Sequence, residues 1–100
     1  MESAEIRLEQ MQKEIEAQVA SAYSTYVVYR NLASFEASNL GLAAENLEIS
    51  MDRYRLGAIS AVELRDVQRS YISATNRLIV AQYNAKISET ALKLLTGAVM

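Results

Sequence analysis

Between Leu64 and Leu95 the apolar positions alternate spacings of three and four without a break: Leu64, Val67, Tyr71, Ala74, Leu78, Ala81, Ala85, Ser88, Leu92 and Leu95, with Ser88 as the one polar member. Such alternation is the seam of a coiled coil, because it keeps one edge of a slightly underwound helix facing a partner. The helix carrying it is predicted over about 60–96. Its start reads as the capping box Ser60-Ala61-Val62-Glu63, in which the Ser60 hydroxyl accepts from the Glu63 amide while the Glu63 carboxylate reaches back. Thr96-Gly97 is expected to close it, since a glycine just past the last periodic residue takes the left-handed conformation of a helix end.

Upstream, from about residue 3 to 54, the chain has no Pro and is rich in Glu, Gln, Ala, Leu and Met, which predicts one long helix. At 1.5 Å per residue it would be roughly 75 Å long. The intervening segment, Arg55-Leu56-Gly57-Ala58-Ile59, is too short for anything except an antiparallel reversal, with Gly57 the residue suited to positive φ. The expected fold is therefore all-α: a long antiparallel two-helix coiled-coil hairpin.

Folding the first helix back about the turn sets Met51 against Leu64, Leu47 against Val67, Ala44 against Tyr71, Leu40 against Ala74 and Ala37 against Leu78. The series continues with Tyr29 and Ala85, Tyr26 and Ser88, Ala22 and Leu92, and Val19 and Leu95, so the Tyr26 phenol is expected to hydrogen-bond Ser88. The first helix keeps this register only by taking two successive four-residue steps, Ala37 to Ala33 to Tyr29, which would locally relax the supercoil. Gly41, inside the helix, reads either as a close helix approach or bend, or as a tolerated glycine. A second apolar stripe lies outside the seam, with Val28, Leu32, Phe35, Leu42, Ile49 and Leu56 on the first helix and Ile72, Ile79, Ile87 and Leu94 on the second. One hairpin cannot bury both stripes, so neighbours are expected, as in a bundle or the wall of a helical barrel.

Composition narrows the function. His and Cys are both absent, which removes the usual residues of zinc sites, thiol nucleophiles and imidazole acid–base catalysis. A carboxylate-bridged metal enzyme on a four-helix bundle needs Glu-x-x-His pairs, and no His is present. No enzyme and no cofactor are expected. Ten Lys and Arg against 12 Asp and Glu, a net charge of −2, concentrate no positive surface for nucleic acid. No apolar run approaches the roughly 20 residues of a membrane-spanning helix. The start, Met1-Glu2-Ser3-Ala4-Glu5, is acidic where an export signal is basic and then apolar.

The residues Tyr54-Arg55-Leu56-Gly57-Ala58-Ile59-Ser60-Ala61-Val62-Glu63-Leu64, followed by Gln68, Tyr71, Ala74, Leu78, Ala81, Tyr83, Ala91-Leu92 and Leu95-Thr96-Gly97, resemble the helical hairpin of TolC-type outer-membrane efflux proteins. The most specific part is the Tyr-x-x-Gly-x-x-Ser turn with the aliphatic-acidic opening of the next helix. The resemblance implies a fragment of a larger channel, in which a homotrimer builds an outer-membrane β-barrel continuing into a periplasmic α-helical barrel, with two such hairpins per subunit. It implies passive conduction of solutes delivered by an inner-membrane pump and its periplasmic adaptor, with no catalysis and no cofactor. The matching positions for adaptor docking at the tip are Leu56, Gly57, Ala58, Ile59 and Ser60. Glu63 and Asp66 match an acidic pair that constricts the tunnel entrance, and Tyr54 matches a residue that helps to hold that entrance closed. Ile59 stands where a family example has a basic residue, so that closing link does not transfer; Arg53, Arg55 and Arg65 are the nearby cations, and the first two also complement the negative end of the first helix. The alternative classes are the α-hairpin of a pump adaptor and a scaffolding coiled coil.

Overall fold

The computed structural model describes residues 2–99, with side chains over 3–97. Helix α1 (Glu2–Arg55) and helix α2 (Ala61–Val99) form a hairpin measuring 83 × 18 × 13 Å, with no strand among the described residues. A compact chain of 11.1 kDa would expose about 5,700 Å². The hairpin exposes 7788 Å², because two helices have only one mutual edge to bury.

The reversal follows from the backbone demands of a helix end. The last carbonyls of α1 lack intrahelical partners. Here the Ala58 amide donates to the Arg53 carbonyl at 2.8 Å and the Gly57 amide to the Tyr54 carbonyl at 3.0 Å. These are the two bonds of a Schellman motif, which requires a left-handed residue at its centre. Gly57 supplies it with φ of 77°, the only positive φ among the described residues. Arg53 and Arg55 stand in the last turn of α1, where positive charge complements the carbonyl end of the helix. Ser60 then caps α2: its hydroxyl accepts from the Glu63 amide at 3.2 Å, half of the expected box.

Every position of the expected α2 seam, from Leu64 to Leu95, is buried or half-buried. Ala74 and Ala81 are the most enclosed, at 1% and 2% exposure. Ser88 is buried as well, but its hydroxyl donates to the Asn84 carbonyl at 2.7 Å, not to Tyr26. A carbonyl one turn back is always in reach of a helical Ser, whereas a bond across the interface needs a matched geometry. Tyr26 instead carries the Arg30 guanidinium over its ring, 5.7 Å from the centroid. The helix does not close at Gly97; it continues to Val99, since Gly97 keeps a negative φ.

The α1 seam corrects the expectation more substantially. Ala37, Ala44 and Met51 are exposed, and Glu36, Ala43 and Ser50 take the inward places. The enclosed edge therefore runs Ile15, Val19, Ala22, Tyr26, Tyr29, Ala33, Glu36, Leu40, Ala43, Leu47, Ser50, alternating four and three throughout. The paired four-residue steps do not occur, and the register puts Ala43, not Ala44, opposite Tyr71. An unbroken heptad lets α1 follow the same supercoil as α2. Its cost, a carboxylate in the interface, is offset by an ion pair: Arg77 Nε donates to Glu36 Oε2 at 3.1 Å. Gly41 lies on the outside, with open space where a Cβ would project, so no close approach within the hairpin explains it.

The second stripe is exposed along its whole length on both helices. Val28, Phe35, Leu42 and Ile49 on α1 and Leu56 just past its end recur every seven residues, so the stripe follows the seam at a constant angle along the hairpin. A continuous apolar edge of this kind is what a neighbouring helix would cover.

Candidate functional site: the hairpin tip and the first turns of α2

The Schellman turn pushes Leu56 outward to 85% exposure, the highest among the exposed large apolar side chains. Gly57, Ala58 and Ser60 are exposed beside it, and Ile59 is half-buried under the bend. Tyr54 projects from the last turn of α1 and is 45% exposed, and Val62 opens the first turn of α2 with its side chain in solvent. Nothing lies within 4 Å of where a Gly57 Cβ would be, so this face of the turn is open to a second surface. The tip is thus an apolar cap whose two central residues are small. Water alone gives no reason for Leu56 to stand there.

Glu63 and Asp66 are both exposed on the first turns of α2. Their three-residue spacing puts the carboxylates on one side of the helix. The same flank continues as Ser70, Ser73, Arg77, Val80 and Asn84, by alternating steps of four and three. It ends in a shallow groove whose walls include Leu32 and Glu36 of α1. Acidic groups therefore sit at the tip end of a flank that becomes basic and apolar farther up. Among the described residues no group of three His, Cys, Asp or Glu converges on a point that could hold a metal ion. No helix among them is long and apolar enough to cross a membrane.

Of the remaining charges, Glu89 is held by Lys93 at 2.8 Å and approached by Lys86 at 3.9 Å. The hydrogen bond from Lys93, followed by the charge of Lys86, keeps the Glu89 carboxyl below the usual carboxylate range, and Glu89 in turn raises Lys93. At the tip, Arg55 meets Asp52 at 3.5 Å within α1, in full solvent.

Compared with known protein families, residues 1–98 match the family described as Outer membrane efflux protein. The chain belongs to the outer membrane efflux protein family. No curated protein and no solved structure matches it significantly. The family is one of channels and transport rather than catalysis, in keeping with the hairpin's long, incompletely buried helices. What sequence reasoning missed in this efflux-family hairpin is the set Glu36, Ser73 and Arg77. A signal was present: counting back from Leu40 by the four-residue step that an unbroken heptad demands lands on Glu36.

Proposed function

We propose that this hairpin is a segment of the periplasmic tunnel of a TolC-like efflux channel, one part of a longer, homotrimeric parent that passively conducts solutes delivered by an inner-membrane pump. The observation that carries the proposal is the exposed apolar tip, Leu56 to Ser60, on an efflux-family hairpin whose outer stripe is also uncovered. In this reading the stripe packs against neighbouring hairpins of the tunnel wall. Leu56, Gly57, Ala58, Ile59 and Ser60 dock the periplasmic adaptor, the small residues admitting a second backbone and the apolar ones supplying buried area. Tyr54 contributes to closure of the entrance by contacting an adjacent hairpin. Glu63 and Asp66 line the opening, where repetition around three subunits concentrates negative potential in a poorly screened space.

Two experiments on the parent separate these roles. A Gly57→Val variant should impair efflux while the trimer stays intact, because a β-branched side chain both opposes positive φ and fills the docking face. Normal efflux in that variant sinks the docking role. Glu63→Gln with Asp66→Asn should weaken cation selectivity and block by trivalent cations in single-channel recordings. Unchanged selectivity and block would demote both carboxylates to capping and surface roles. The helix itself should be little disturbed, since the hydroxyl of Ser60 still caps the residue 63 amide.

A further inference from the structure

In its tip half, α1 carries two edges that could face α2. Both share Ala33, Leu40 and Leu47; one adds Glu36, Ala43 and Ser50, the other Ala37, Ala44 and Met51. Hydrophobicity favours the second edge, yet the first is enclosed, with Glu36 at 8% and Ser50 at 7% exposure. In a supercoiled helix of 3.5 residues per turn, exchanging the edges means turning α1 by about 50° on its own axis.

From the geometry at Glu36 we infer that its ion pair with Arg77 selects the first edge and thereby sets the rotational phase of α1 against α2. The Glu36 side chain is 11% exposed and accepts from Arg77 Nε at 3.1 Å. Arg77 is itself held from within α2, its Nη1 donating to Ser73 Oγ at 2.8 Å, so the guanidinium is aimed before α1 arrives. Ala37 offers that guanidinium nothing. A carboxylate enclosed without a partner is strongly unfavourable, whereas one met by an oriented fork is satisfied at a single rotation. A polar residue in an otherwise apolar seam fixes register in coiled coils by the same logic. The phase chosen decides where the exposed Phe35, Leu42 and Ile49 point. The lock acts within the hairpin and needs no second subunit and no transport activity.

The chain contains no Cys, so single thiols report the phase cleanly. Ala43→Cys and Ala44→Cys are made in the full chain, and their rates of maleimide labelling are compared. With Arg77 present, the thiol at 44 should react about fivefold faster than the thiol at 43, following their exposure. Arg77→Met should bring that ratio to one or invert it while circular dichroism shows the helices retained. Adding Glu36→Ala to Arg77→Met removes both halves of the lock and leaves the more apolar edge the better one, so the ratio should stay at one or below. An unchanged ratio in Arg77→Met overturns the lock, as does a double variant that keeps the original ratio. Should Arg77→Met unfold, the double variant alone decides: recovered helicity with a ratio of one or below supports the lock, and any other result overturns it.

Discussion

The two helices solve the same packing problem with different materials. The inward edge of α2 is apolar at every position but Ser88, and its side chains would face a partner in the same way whatever that partner was. The inward edge of α1 includes Glu36 and Ser50, while alanines and a methionine one position away stand in water. The difference teaches that apolar periodicity names the face of a helix only when one face is clearly best. Where two edges compete, the partner's polar groups decide, and here the deciding group is Arg77, 41 residues along the chain from Glu36.

The sharpest way to break this contrast is to give α2 a carboxylate of its own. Leu78 occupies the seam position that the register sets opposite Glu36. Leu78→Glu would place two like charges in one enclosed interface, with one guanidinium to share, and should destabilise the hairpin by about 3 kcal/mol or more. Urea unfolding followed by circular dichroism measures it; a loss under about 1 kcal/mol would mean that the interface is far wetter than its burial implies.

A smaller effect is expected at the joint between the helices, where α1 ends on backbone bonds and α2 begins on a side-chain cap. Gly57→Ala adds a Cβ that meets no atom within 4 Å, so its cost is the left-handed backbone alone, about 1 kcal/mol. The same urea titration reads it. A neutral result would show that the turn relaxes to another geometry, and the Schellman bonds would then not be what ends α1.

The least effect belongs to the ion pairs that lie wholly within α2. Glu89 is lowered by Lys93 and Lys86, so its contribution to stability is present above the ordinary carboxylate pKa and is lost as pH falls through its depressed value. Lys93 is raised, so its share is present below the ordinary lysine value and is lost as pH rises through its elevated one. Lys93 is in solvent and Glu89 is half-buried, and Glu89→Gln should flatten the acid limb of the stability profile only slightly, and less as salt is added. A large, salt-independent change would place Glu89 in a buried contact.

What the amino-acid sequence determined by itself is everything that depends on near neighbours or on one unrivalled period. The helical class, the reversal at Gly57, the Ser60 cap and all ten seam positions of α2 belong here. So does the outer stripe, whose exposure follows from there being more apolar edges than one hairpin can cover. The tip, Leu56 to Ser60, was legible for the same reason: a five-residue connection between two helices has few conformations and leaves Leu56 outward. Only the tertiary structure decided the phase of α1, because Glu36 becomes acceptable in a seam solely through a guanidinium on the other helix. It also decided that Gly97 does not end α2 and that Ser88 bonds to its own helix. Local signals propose a closure or a partner in each of these cases, but the energy that chooses among the options is held in contacts between residues far apart in the chain.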